Sequence, residues 1–186
     1  PAWPSQDYLW FDFPEAIFYN QGLLYLSAVN PKFPAVFPDF PRVAWQEIAN
    51  GLAFERQLPN GISFGGSLVR KSDTIVGLEL HIENGSRQPL TDIKLQTCLY
   101  LRAIREFADF TNENKFVHLP DLGWQSYPKA NEAKIEAGRY LLGWRAGRAL
   151  ADLPMMATVS NQGKRLVAFT WLKDGLSLVC NARHPC

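Results

Sequence analysis

Two runs of alternating apolar and polar residues, separated by a polar turn, occupy the segment 76–101. Successive side chains of a β-strand point to opposite faces, so a period of two sends one set into a core and the other toward solvent or a ligand. One face of the first run is apolar, and the other carries Glu79, His81 and Glu83. We therefore predict two strands that pair with each other as a hairpin across residues 84–90.

The same alternation recurs elsewhere in the chain, between turns that are rich in glycine and asparagine. The other predicted strands are residues 16–20, 23–28, 52–58, 62–70, 140–145, 155–160, 164–172 and 176–181. Gly65-Gly66 predicts a β-bulge within its strand. A proline in the first turn and Asn50-Gly51 at the end predict a short helix over residues 41–50, and residues 101–110 allow a second.

Many short strands and few helices predict an all-β fold, specifically an antiparallel two-sheet β-sandwich with one or two short helices. Jelly-roll and mutarotase-like supersandwich versions both fit this pattern. The chain has 186 residues, of which 47% are hydrophobic, and this suits a single domain over residues 1–186 with a substantial core. The proline-rich segment 30–42 is predicted to pack on that domain in an extended form.

Net charge and cysteine content restrict the classes of partner and compartment. The formal net charge is only +1, so nucleic acid and anionic membranes are not expected as partners. No apolar run is long enough to span a membrane. The 3 cysteines argue against a disulfide framework, although Cys180 and Cys186 could pair in an exported protein. The sequence leaves open whether the protein is soluble in a bacterial cytoplasm or exported.

The polar face of the predicted hairpin is the first candidate site. Glu79 and His81 project on the same side, and Gln96 and Tyr100 would lie near them if the two strands pair. Glu55 and Gln57 of the predicted strand 52–58 could extend this face. A carboxylate that orients an imidazole can act in general acid–base chemistry. Because sugar hydroxyls need fixed donors and acceptors, the face predicts saccharide binding, against the alternative of an ordinary solvated sheet face.

A long segment without regular pattern, residues 111–137, is the second candidate. It carries Asn112 and Glu113, followed by His118 and Trp124. Loops of this length in compact domains are usually functional or mobile. We predict that the segment closes over the polar sheet face, with Trp124 stacking on a pyranose ring, against the alternative of an ordered surface loop.

Two further groups of residues could hold a ligand. The histidines His81, His118 and His184 could together bind a divalent metal, although their spacing matches no known metal motif. No other cofactor is expected. Trp144 and Arg145 could bind the carboxylate of a sugar acid through the guanidinium fork.

The phrases FPEAIFYNQGLLYLSAVNPKFP, LPNGISFG, TNENKFVH and the terminal HPC extend over most of the chain. In them the chain resembles uncharacterised bacterial β-sandwich proteins of the planctomycete-like kind. This resemblance implies the fold and carries no function. No phosphate-binding glycine loop, nucleophile elbow or H-E-x-x-H pattern is present in the sequence.

Our leading hypothesis is a carbohydrate-associated β-sandwich protein that binds or processes a saccharide or another small polar ligand. If it is an enzyme, it would be a hydrolase, lyase or epimerase that uses Glu79, His81, Glu113 and His118 as acid–base groups. The two alternatives are a metalloprotein with histidine ligands and a non-catalytic interaction module, which could be a homo-oligomer.

Overall fold

A computed structural model describes Asp7 and residues 10–26, 44–133, 140–141 and 150–171. Strands dominate these residues, and helix is limited to one short α-helix and two 3-10 turns. The strands are β1 (Trp10–Tyr19), β2 (Gly22–Leu26), β3 (Gln46–Ile48), β4 (Gly51–Gln57), β5 (Ile62–Arg70), β6 (Val76–Asn84), β7 (Lys94–Tyr100), β8 (Lys115–Leu119), β9 (Gly123–Ser126), β10 (Tyr140–Leu141), β11 (Leu150–Ala151), β12 (Met155–Val159) and β13 (Leu166–Thr170). The helical elements are the 3-10 turns Leu101–Ala103 and Arg105–Phe107 and the helix α1 (Tyr127–Glu132).

The predicted all-β class is confirmed, and the chain divides into two compact units. The first comprises residues 1–6 and 11–98, and the second comprises residues 7–10 and 99–186. Whether these units form the single predicted domain stays a prediction. So does the packing of the proline-rich segment 30–42, because residues 27–43 lie outside the described part of the chain.

The first unit is built as a two-sheet sandwich, as predicted. One sheet has the strand order β2-β1-β7 and the other the order β3-β4-β5-β6. Both sheets contribute to one core cluster, in which Ile17 and Leu24 come from the first sheet and Phe54, Ile62 and Phe64 from the second. Burial of these apolar side chains between the sheets is the main force that holds them together.

The alternation in β4 explains which of its faces enters that core. Phe54 and Arg56 are buried, whereas Glu55 and Gln57 on the opposite face are exposed. The guanidinium carbon of Arg56 lies 5.3 Å from the centre of the Tyr25 ring, so a cation–π contact accompanies its burial. The strands predicted over 16–20 and 23–28 pair antiparallel as β1 and β2, and those predicted over 52–58 and 62–70 pair antiparallel as β4 and β5.

The predicted hairpin between β6 and β7 is wrong. β6 pairs with β5 along its whole length, whereas β7 lies beside β1 in the other sheet. The segment between β6 and β7, residues 85–93, therefore crosses from one sheet to the other. Near the start of β7, the Asn20 backbone N–H donates a hydrogen bond to the Thr91 carbonyl at 2.9 Å. Alternation identifies the core-facing side of a strand but does not specify its neighbour, so the sequence could not reveal this crossing.

Two other local predictions in this unit are wrong. Instead of the helix predicted over residues 41–50, residues 46–48 form β3, and Asn50 takes a positive φ of 60° in the turn to β4. Gly65-Gly66 forms no bulge, because β5 stays in continuous register with both neighbours. Gly65 instead makes room for the side chain of Glu55, because a Cβ at this position would lie 2.3 Å from Glu55 Oε1.

The second unit is organised around a four-stranded sheet with the order β13-β12-β8-β9. The helix α1 packs on β8 and β9, and Val117, Leu119, Tyr127 and Ala130 form the centre of the core cluster. The prediction of a long patternless loop over 111–137 is therefore wrong. Residues 115–119 and 123–126 form β8 and β9, which are too short to show a clear alternation, and Asp121 takes a positive φ in the turn between them.

Among the other predicted strands, 155–160 and 164–172 are confirmed by β12 and β13. Strand 140–145 is described only at β10, and strand 176–181 lies outside the described residues. Cys98 is buried and disulfide-bonded. None of the described residues belongs to a helix long and apolar enough to cross a membrane.

Candidate functional site

His81 lies on the outer face of the four-stranded sheet and is paired with a carboxylate from another strand. Gly65 of the central strand β5 stands in register with both Glu55 of β4 and His81 of β6. The missing side chain at Gly65 lets the two neighbours meet above it, with His81 Nε2 3.0 Å from Glu55 Oε1. The carboxylate partner of His81 is therefore Glu55, not Glu79 as predicted.

Further polar side chains surround this pair on the outer face. Glu79 and Glu83 are exposed on β6, and Ser63 and Ser67 lie between them and β4. Within the part of the chain that the structure describes, neither glutamate takes part in an ion pair or a hydrogen bond. The side chains of His81 and Glu55 are 52% and 69% exposed, so solvent screens this pair strongly.

The predicted partners Gln96 and Tyr100 do not join this face. Both belong to β7, which lies in the other sheet, and Gln96 Nε2 donates a hydrogen bond to Glu15 Oε2 at 2.7 Å. Tyr100 is the last residue of β7. The predicted cluster of Glu79, His81, Gln96 and Tyr100 is wrong because the hairpin on which it depended does not form.

Asn112 and Glu113 belong to a tight turn that is organised by Asp109. Asp109 Oδ1 accepts hydrogen bonds from the backbone N–H and the hydroxyl of Thr111, at 2.8 Å and 2.7 Å, and Oδ2 accepts one from the Asn114 N–H at 3.0 Å. Asn112 is buried with a φ of 63°, whereas Glu113 is exposed. These contacts give the turn a structural explanation, in line with the ordered-loop alternative.

The Asp109→Ala variant is expected to lower the free energy of unfolding by about 1–2 kcal/mol, because the turn loses several hydrogen bonds. Burial acts to raise the pKa of Asp109, but the hydrogen bonds from Thr111, Asn114 and Glu113 outweigh it and lower the pKa overall. The ionised form is thus favoured in the folded state, and its contribution is lost as pH falls through the lowered pKa. Urea unfolding at several pH values should show a constant difference from wild type above about pH 5 that shrinks in more acidic solution. A difference independent of pH would contradict this explanation.

His118 occupies a more enclosed position, on β8 in the second unit. Its Nδ1 lies 2.6 Å from Asp152 Oδ1, and its carbonyl accepts a hydrogen bond from the Asp152 backbone N–H at 3.2 Å. The His118 side chain is 29% exposed, compared with 52% for His81. Two hydrogen bonds to one residue therefore fix both the strand and the orientation of the imidazole ring.

Trp124 lies directly beside this imidazole. β8 and β9 form a hairpin in which His118 and Trp124 are in register, and their ring centres are 5.4 Å apart at an interplanar angle of 82°. Trp124 is nevertheless 46% exposed. Among the described residues, neither His118 Nε2 nor the indole N–H of Trp124 has a hydrogen-bond partner. We call the group formed by His118, Trp124 and Asp152 the imidazole–indole corner.

The sequence identified two members of this corner and missed the third. Asp152 lies far from His118 along the chain, directly after the two-residue strand β11, and no spacing in the sequence connects them. A carboxylate on Nδ1 favours the tautomer with its proton there, which leaves the Nε2 lone pair available. The corner thus offers a hydrogen-bond acceptor that can also take up a proton, next to an open aromatic surface.

Of the three histidines predicted to bind a metal, the structure describes His81 and His118. Among the described residues, no group of three or more His, Cys, Asp or Glu side chains is placed to hold a metal ion. His81 and His118 belong to different units, and each has one carboxylate partner. His184, Trp144 and Arg145 lie outside the described residues.

Neither a protein-family model, nor a curated protein, nor a solved structure matches this chain. The chemistry of the imidazole–indole corner is therefore argued from its own geometry. Among the predicted site residues that the structure describes, His118 and Trp124 are in direct ring contact.

Proposed function

We propose that the chain binds a saccharide at the imidazole–indole corner. The observation that carries the proposal is the fixed imidazole of His118, held by Asp152 at 2.6 Å, next to the half-exposed indole of Trp124. A pyranose ring has an apolar C–H face and a rim of hydroxyl groups. The indole supplies a surface on which the C–H face can stack, and Nε2 supplies an acceptor for a hydroxyl.

The second reason for choosing this corner is the contrast with the outer face of the four-stranded sheet. The residues that β3 to β6 present on that face include no aromatic side chain, so a sugar bound there would have no stacking surface. The His81–Glu55 pair on that face is also more exposed than the His118–Asp152 pair. We therefore separate saccharide binding from Glu79 and His81 and place it on the β8–β9 hairpin.

Saturation-transfer difference NMR with separate soluble hexasaccharides of glucose, xylose, mannose, N-acetylglucosamine and galacturonic acid tests this function. We expect at least one oligosaccharide to receive saturation, strongest at the ring C–H protons that stack on the indole. The same oligosaccharide should shift the indole N–H resonance of Trp124 and the imidazole resonances of His118. Absence of transfer to every oligosaccharide, or transfer without changes at these two residues, would overturn the proposal.

The Asp152→Asn variant is expected to bind the selected oligosaccharide about three- to tenfold more weakly, a loss of roughly 1 kcal/mol. The amide can donate to Nδ1 and thereby move the ring proton to Nε2, which removes the acceptor offered to the sugar. Nitrogen-15 NMR of His118 should show the change of tautomer, a change that loss of structural support alone would not produce. Asp121→Asn is the matched control, because the exposed Asp121 lies in the turn of the same hairpin. Equal affinity of both variants would contradict the role of Nε2.

A further inference from the structure

The strand β6 forms an open edge of the four-stranded sheet. Its nine residues, Val76–Asn84, pair with β5 in unbroken register, and within the described residues no strand lies on the other side. Natural proteins blunt such edges with proline, with a bulge or with charged side chains, most often lysine. β6 contains neither proline nor lysine, its pairing shows no bulge, and its acidic residues are Glu79 and Glu83. An edge of this length is available to pair with another strand whose charges complement these two carboxylates.

The core side of β6 is also incompletely covered. Leu78, Leu80 and Ile82 point toward the core but are only half-buried, whereas Ile62 and Phe64 of the neighbouring strand are 1% and 0% exposed. Leu80 and Ile82 pack against the core cluster, but Leu78 is not among its contacts in the described residues. A strand added at this edge would bury apolar surface that the single chain leaves accessible.

We propose that a second copy of this chain occupies the β6 edge, so that two four-stranded sheets join antiparallel across a twofold axis. When the axis passes through Leu80, all nine residues of β6 overlap with those of the second copy. Leu78 then faces Ile82 of the second copy on the core side, and Glu79 faces its His81 on the outer side. Both pairs occur twice because the axis exchanges the two chains.

The charged side chains of β6 favour this register over the other antiparallel registers. An axis through His81 would set Glu79 directly against Glu83 of the second copy, and an axis through Glu79 would set two copies of that residue against each other. Like charges directly opposite destabilise a strand pair. A shift of one residue would pair outer-face residues with core-face residues, which the pleat forbids. With the axis at Leu80, the glutamates approach one another only diagonally.

The polar groups that meet in this register, His81 Nδ1 and the Glu79 carboxylate, lack partners among the residues that the structure describes. His81 uses Nε2 for Glu55, and its Nδ1 has no partner among the described residues. Glu79 has none either within the same part of the chain. In the proposed dimer, the imidazole of one copy lies between its own Glu55 and Glu79 of the second copy. This complementarity, together with the half-buried leucines, argues for a second copy rather than an unrelated strand.

Light scattering after gel filtration, over a protein concentration series, tests the proposal. The wild type should approach twice the 21.0 kDa mass of one chain as concentration rises. Leu78→Glu should weaken the dimer about tenfold or more, because it places a carboxylate against Ile82 of the second copy. Leu166→Glu is the matched control: Leu166 is 58% exposed on β13, an edge strand of the other unit, and its variant should remain dimeric.

Hydrogen exchange on the wild-type protein gives a second readout in case Leu78→Glu fails to fold. The amides of β6 should exchange more slowly at high protein concentration than at low concentration, whereas those of β13 should not change. A protein that stays at the mass of one chain at every concentration overturns the proposal. A dimer that persists in the Leu78→Glu variant would also overturn it. The same holds if the β6 amides are equally protected at every concentration, because residues of the same chain would then cover the edge.

Discussion

Phe64→Ala is expected to lower the free energy of unfolding of the first unit by about 3–5 kcal/mol. Phe64 is fully buried between the two sheets, and its ring centre lies 5.1 Å from that of Tyr25 and 6.1 Å from that of Phe54. Truncation removes apolar contacts on both sides and leaves a cavity that the facing sheets cannot close without moving. Loss of this size is a large fraction of the stability of an ordinary domain.

Urea unfolding followed by circular dichroism and by tryptophan fluorescence measures this loss. Ile75→Ala is the matched control in the same unit, because Ile75 is 57% exposed and its replacement should change stability by less than about 0.5 kcal/mol. If both variants lowered the free energy of unfolding by the same amount, Phe64 would not lie in the core of the sandwich. A cost for Phe64→Ala below about 1 kcal/mol would lead to the same conclusion.

The positions of individual strands could be predicted from the sequence where alternation and turn residues agree. β5 begins and ends at the predicted residues, Ile62 and Arg70, because Asn60-Gly61 marks its start and the apolar pattern continues to its end. β4 likewise presents the predicted face to the core, with Phe54 buried and Glu55 exposed. Local pattern is sufficient here because burial of one face dominates the choice of conformation.

The pairing of strands and the shortest elements could not be predicted in the same way. β6 and β7 are consecutive and both alternate, but their pairing partners lie in different sheets. β3 has only three residues, all exposed, so it gives no apolar period, and its turn at Asn50-Gly51 resembles the end of a helix. These features depend on contacts between residues far apart in the chain, which a periodic pattern does not contain.

The residues of the candidate site also divide into those that the sequence predicts and those that depend on the fold. His118 and Trp124 were selected as an imidazole and an aromatic ring in one segment, and the β8–β9 hairpin brings them together because they are close in sequence. Asp152 and Glu55 reach their histidines across strands, at sequence separations of 34 and 26 residues. The sequence predicts both histidines from their residue type and Glu55 as an extension of the polar face, whereas the pairing of each histidine with its carboxylate depends on the fold.

Trp124→Ala is expected to weaken binding of the selected oligosaccharide about thirty- to hundredfold, a loss of roughly 2–3 kcal/mol. The indole is the largest exposed surface of the imidazole–indole corner, and a stacked sugar ring would owe most of its apolar contact to it. Because Trp124 is 46% exposed, its removal should leave the hairpin folded. Calorimetric titration gives the affinity, and the thermal unfolding midpoint verifies the fold.

Two further substitutions separate stacking from general loss of apolar surface. Trp124→Phe keeps an aromatic face and should retain affinity within about tenfold of wild type. Leu122→Ala removes a 52% exposed apolar side chain from the turn of the same hairpin and should bind as wild type does. If Leu122→Ala weakens binding as much as Trp124→Ala, the hairpin offers an unspecific apolar contact, and the saccharide function proposed for this corner does not hold.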